Sequence, residues 1–147
     1  TYGKIVELMP LTTIDMIVRV EGGCLLVMRA KEPYKGHWWL PGGRLRKNEP
    51  SLEGVARIMR KELGLEPESY ANVRFHGVLS LFFPTSAFAT PTHTESHVFT
   101  LDLDPAALGR IELDDQASRF EIFPALPPNP PGGRFLMTGD SDYRESL

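Results

Sequence analysis

Cysteine is almost missing: Cys24, inside the apolar run CLLVM, is the single one in 147 residues. That excludes an intramolecular disulfide and points to a reducing, cytoplasmic compartment, with the thiol as a small buried side chain. Apolar runs of membrane-spanning length are missing as well, and no signal-peptide pattern opens the chain. The expectation is a protein with no membrane partner. A surplus of positive charge is missing too, since 16 Lys and Arg face 19 Asp and Glu, a net charge of −3. That excludes a nucleic-acid binder relying on bulk electrostatics.

What is there fits a globular protein, with 41% hydrophobic and 24% charged residues. The length suits one domain over residues 1–147, able to bury about two-thirds of its unfolded surface. Basic residues gather locally, with Lys31, Lys35, Arg44, Arg46 and Lys47 flanking the pair Gly42-Gly43. A solvated loop and an anion site are both open readings of that cluster.

TTIDMIVRV (12–20) has the β-branched density of a strand, and GCLLVMRA (23–30) follows after a short Glu-Gly-Gly turn, which predicts a hairpin. HWWLPGG reads as a short extended piece, with Trp38 and Trp39 as packing residues. Ser51 is the expected N-cap of a helix whose apolar stripe is Leu52, Val55, Met59 and Leu63, ended by Gly64. Within it, Arg57 is expected to brace Glu53 and the loop. NVRFHGVLSLFF (72–83) and ESHVFTLDLD (95–104) predict two strands joined by the loop PTSAFATPTHT. Asp104-Pro105 opens a helical turn through Leu108, and SRFEIFPAL (118–126) is a last strand. The Pro- and Gly-rich residues 127–147 are expected to be irregular. There is no internal repeat.

The most informative stretch is GGRLRKNEPSLEGVARIMRKELGL, residues 42 to 65. From Gly43 it runs five residues to Glu49, seven more to Arg57, then Glu62, Gly64 and Leu65. With GHWWLPGG before it, this resembles the Nudix box, the signature of hydrolases acting on nucleoside diphosphates linked to another group. The box ends in three glutamates on one helix face, and here the first two are Ile58 and Lys61. A single Glu62 helped by neutral oxygens suits one octahedral Mg²⁺, whereas three carboxylates would hold several ions.

The resemblance implies an α+β fold, the Nudix-type α/β/α sandwich with a mixed β-sheet. One branch of the family, the GDP-mannose mannosyl hydrolases, shows the same reduced box, and the likeness runs from about Leu11 to Phe123. It implies one Mg²⁺, with Mn²⁺ as a substitute, held by the Gly42 carbonyl, Glu62 and Gln116. It implies diphosphate binding by Arg29 and Arg44, an ordering role for Asp15, and a homodimer. In that branch water displaces nucleoside diphosphate from the sugar carbon, so one leaving-group metal suffices. The branch's histidine base falls at Ala117, expected beside the attacking water. Its further histidine and tyrosine fall at Leu81 and Val98. Asp114 and Asp115, or His93 and His97, are the candidate replacement bases. The expected activity is Mg²⁺-dependent hydrolysis of a small-molecule nucleoside diphosphate sugar resembling GDP-mannose. A pyrophosphohydrolase attacking phosphorus and a low-turnover nucleotide-binding domain remain the alternatives.

Overall fold

The computed structural model describes residues 1–32, 34–84 and 90–126. A short helix α1 (Tyr2–Leu8) precedes the hairpin β1 (Leu11–Val20) and β2 (Gly23–Arg29). Two brief strands follow, β3 (Trp38–Trp39) and β4 (Gly42–Arg44), then helix α2 (Ser51–Leu63). The long strands β5 (Tyr70–Phe83) and β6 (Thr92–Leu103) lead to a 3₁₀ turn at Pro105–Arg110 and to β7 (Ala117–Phe123). All strands share one sheet with the order β3-β2-β1-β6-β5, with β4 added to β1 and β7 to β2. β1 and β6 are parallel and the other pairs antiparallel, so the sheet is mixed.

The predicted hairpin turn is Glu21-Gly22, both with positive φ, the mirror-image turn whose twist matches a two-residue connection. Alternation along β1 then sorts its side chains. Ile14, Met16, Val18 and Val20 join Val55, Ile58, Met59 and Leu63 of α2 in one core. Asp15 and Ile17 point to the other face, where Ile17, Cys24, Leu26, Trp39, Leu79, Leu81 and Val98 form a second cluster. The α+β arrangement with α2 on one face is the expected sandwich. Helix α1 lies against the far side through its buried Val6 and its contacts with β6.

Several expectations are corrected. Pro50, not Ser51, is the N-cap of α2; Ser51 is the first helical residue, and its hydroxyl meets His97 Nδ1 at 3.3 Å instead. Leu52 is 61% exposed and outside the stripe, where Ile58 takes the core position. Arg57 braces the loop as expected, but through Glu49 rather than with Glu53. β5 and β6 each extend by two or three residues, so Thr92 to Thr94 are strand rather than loop. Helix α1 carries no motif and was not anticipated. Gly64 ends α2 in the left-handed conformation as predicted, and Asp104 caps the next turn by accepting from Ala106 N at 3.0 Å. The expected irregular tail, 127–147, lies outside the described residues. Among those described, no helix is long and apolar enough to cross a membrane.

Candidate active site

β4 is the hinge of the site. It runs antiparallel to β1 with Asp15 opposite Gly42 and Thr13 opposite Arg44. A Cβ on Gly42 would collide with the Asp15 carboxylate and the Ile14 carbonyl, so only glycine allows this approach. Gly54 does the same for the helix, because a Cβ there would meet Ile14 Cδ1 at 2.5 Å. The basic loop between β4 and α2 is fixed by one clamp. Arg57 donates to both Glu49 oxygens at 2.6 and 2.9 Å and to the Arg44 carbonyl at 2.7 Å, while Glu49 also accepts from Arg46 N. The bidentate pair holds the Glu49 carboxyl down at about 2. The side chains of Glu49 and Arg57 are therefore structural.

A cavity of about 430 Å³ opens beside this loop, within the range of small-ligand sites. Its charged end is formed by Asp15, Arg29, Lys31, Arg44, Lys61 and Glu62, with Gly42 and Gln116. The β5 and β6 part of the lining is uncharged, with Leu81, Phe83, Thr92 and Thr94, and Thr13 of β1 stands between it and Arg44. Tyr2 of α1 stacks on Arg44, whose guanidinium carbon lies 4.1 Å from the ring centre.

The charged end is a knot of opposing groups around Arg29. Burial lowers the Arg29 pKa, while Asp15, Glu62 and Glu32 pull it back up. Asp15 is 7% exposed and accepts a short hydrogen bond from Ser96 Oγ. Burial raises its carboxyl to about 6 against the opposing help of Ser96, Arg29 and Trp39. Glu62 is 8% exposed, and burial followed by the neighbouring Asp114 raises it to about 7, with Lys61 and Arg29 opposing. Two buried carboxylates thus sit under-compensated in the lining of the cavity.

Six of the residues singled out in the sequence line this one cavity: Asp15, Arg29, Gly42, Arg44, Glu62 and Gln116. Asp114 and Asp115 do not line it. Asp114 Oδ1 accepts from Gln116 N at 3.0 Å and shapes the turn, while its Oδ2 is buried without a hydrogen bond, 3.5 Å from Lys61 Nζ. Asp115 is exposed and held by Lys31 at 2.7 Å. Ala117 corrects the expectation of a position beside the attacking water. As the first residue of β7 it faces the α2-side core at 7% exposure, outside the cavity lining. His93 pairs with Glu95 and His97 with Ser51, both away from the cavity. Tyr2, Thr13, Ser96 and Thr94 went unnoticed, and nothing in their local sequence signals a site.

The donors suit a divalent ion held by one acid. Among the described residues, no group of three His, Cys, Asp or Glu could hold a metal. Glu62 with neutral oxygens of Gly42 and Gln116 is a hard-oxygen set on the cavity, and a cation there would answer the cost of burying Glu62.

The sequence profile of the NUDIX domain matches residues 9–128. The chain is 32% identical over 124 residues to the low-salt glycan biosynthesis protein Agl8 of Haloferax volcanii, covering 83% of this chain and 76% of that one. It is 31% identical over 115 residues to an ADP-ribose pyrophosphatase of Methanocaldococcus jannaschii, covering 78% of this chain and 62% of that one. In fold it is similar to a bifunctional NMN adenylyltransferase/ADP ribose pyrophosphatase of Francisella tularensis, solved with AMP and a Mn ion. That match has a TM-score of 0.55 and 24% identity, over 77% of this chain and 33% of the other. The box spacing, the sheet that carries it and a profile match over most of the length agree: this chain belongs to the Nudix hydrolase family.

Proposed function

We propose that this protein hydrolyses a nucleoside diphosphate sugar of the GDP-mannose kind, with one Mg²⁺ and with Mn²⁺ as a substitute, releasing nucleoside diphosphate and sugar. The observation that carries this reading is the convergence of Arg29, Arg44, Glu62, Gly42 and Gln116 on one cavity. Ile58 is fully buried in the core and Lys61 is a cation, so the helix offers a diphosphate one acid where a multi-metal site needs several. The glycan-biosynthesis name of the Haloferax relative supports a sugar-bearing substrate.

Arg29 and Arg44 bind the diphosphate as forks of charged donors. Asp15 holds Arg29 from behind, and Ser96 fixes the Asp15 rotamer. Glu62, Gln116 and the Gly42 carbonyl would hold Mg²⁺, which neutralises charge on the departing diphosphate when bound. Water then attacks the anomeric carbon, and the diphosphate leaves with the bonding pair. Of the two candidate bases, Asp114 is the one whose charge reaches Glu62 and would have to turn out of its loop contacts to take the proton of that water; Asp115 is held in its ion pair with Lys31. The apolar surface exposed at Ile5, Leu8 and Met9 supports a homodimer, and a free, buried Cys24 fits a reducing, cytoplasmic setting.

The test is a nucleotide-sugar screen with Mg²⁺ or Mn²⁺. Metal-dependent release of nucleoside diphosphate is the expected result, and turnover of none of them contradicts it. A second reading, pyrophosphohydrolysis at phosphorus, is favoured by the name of the Methanocaldococcus relative.

A further inference from the structure

We infer that the uncharged end of the cavity is a recognition subsite for the glycosyl group, with Thr94 and Thr13 as its hydroxyl partners. This rests on the diphosphate reading of the charged end. The sheet order separates the two ends. β2, β7 and the last turn of α2 supply Arg29, Gln116, Lys61 and Glu62 on one side of β1, and β6 and β5 lie on the other. The cavity-lining residues of β5 and β6 are Leu81, Phe83, Thr92 and Thr94, without a formal charge among them. Thr94 stands opposite Leu81 on β5 and Leu11 on β1, while Thr13 stands opposite Ser96, making the two threonines diagonal neighbours on one face.

Both hydroxyls are anomalous. The Oγ1 atoms of Thr13 and Thr94 are buried and without a hydrogen bond, and Thr94 as a whole is 6% exposed. A buried unbonded hydroxyl destabilises a fold relative to a valine of the same shape, so each calls for an explanation. Both threonines line the cavity, and a turn of χ1 by one staggered well would move the oxygen to the place of the methyl group or hydrogen. A threonine hydroxyl both donates and accepts, as sugar hydroxyls do. The flanking cation is Arg44, opposite Thr13 on β4, and Thr94 lies one strand further away on β6. The apolar neighbours Leu81 and Phe83 suit the C–H faces of a pyranose.

The test is calorimetric binding of GDP and of GDP-mannose, with Ca²⁺ in place of Mg²⁺ and product analysis to exclude turnover, to the full chain and to Thr94→Val and Thr13→Val. Each substitution should weaken GDP-mannose about 3- to 10-fold and leave GDP within about twofold. The thermal midpoint should stay equal or rise, which separates lost recognition from lost folding. Equal weakening of both ligands would assign the threonines to the shared nucleotide and overturn the proposal. So would unchanged binding of both, or a native protein that binds GDP as tightly as GDP-mannose. Failure of GDP itself to bind would overturn the diphosphate reading, and this inference with it.

Discussion

Glu62 carries two opposed demands. Burial and the nearby Asp114 favour its proton, whereas a metal needs the bare carboxylate. Glu62→Gln should therefore separate metal binding from folding. The variant should weaken Mg²⁺ at least about tenfold in the presence of nucleotide, because a charged ligand becomes neutral. Without metal at pH 8 it should be more stable than the native chain, by an amount on the order of 2 kcal/mol. Chemical denaturation with chelator checks this, and a less stable variant would contradict it. The pH dependence follows. Asp15 near 6 and Glu62 near 7 mean that the folded chain keeps protons which the unfolded chain releases between about pH 4 and 7. Stability contributed by these groups is complete below the unfolded carboxylate range and falls as pH rises through 6 and 7. His76, lowered by burial and by Arg19, opposes this. The difference between native and Glu62→Gln proteins isolates Glu62 and should grow from pH 5 to pH 8. Added Mg²⁺ should shrink or reverse it. The place of Glu62 and Gly42 on the cavity was legible from the fixed spacing of the box, and that of Gln116 only from the family resemblance. Thr94 and Ser96 were not, because their role comes from register across strands, which local sequence does not state.

At the scale of elements, two close approaches position the site. β4 can lie on β1 because Gly42 has no side chain, and α2 can approach β1 because Gly54 has none. Gly42→Ala should push β4 away from Asp15, destabilising the fold by about 1–3 kcal/mol and lowering activity further than stability alone explains. Denaturation midpoints with activity measured on the folded fraction would show both effects. An alanine variant of native stability and rate would mean that the close approach is unimportant. The hairpin, the helix stop at Gly64 and the Asp104 cap were legible from turn and cap chemistry. The start of α2 was misread because Ser51 offers a capping hydroxyl, yet Pro50 already supplies the extended residue before the first turn. Arg57 was assigned to Glu53 by helical spacing. The loop fold brings Glu49 back over the helix and makes the bidentate pair there instead. Ala117 was misplaced for a similar reason, since β7 begins at that residue and alternation turns its methyl inward.

For the whole molecule, strands and one amphipathic helix with a buried stripe were readable from periodicity, whereas the mixed sheet was implied only by the family resemblance. The parallel β1–β6 pairing was not, because pairing partners distant in sequence leave no local trace. That pairing is what joins Asp15 to Ser96 and extends the charged end of the cavity into an uncharged one. On the proposed reading, the charged lining takes the diphosphate and the β5–β6 lining takes the group attached to it. Its central claim is that a box with one acid releases a diphosphate from carbon rather than attacking phosphorus. The most direct measurement is turnover of GDP-mannose with Mg²⁺ in ¹⁸O-water, followed by mass analysis of both products. The account predicts the label in mannose and unlabelled GDP; label in a phosphate-bearing product would contradict it.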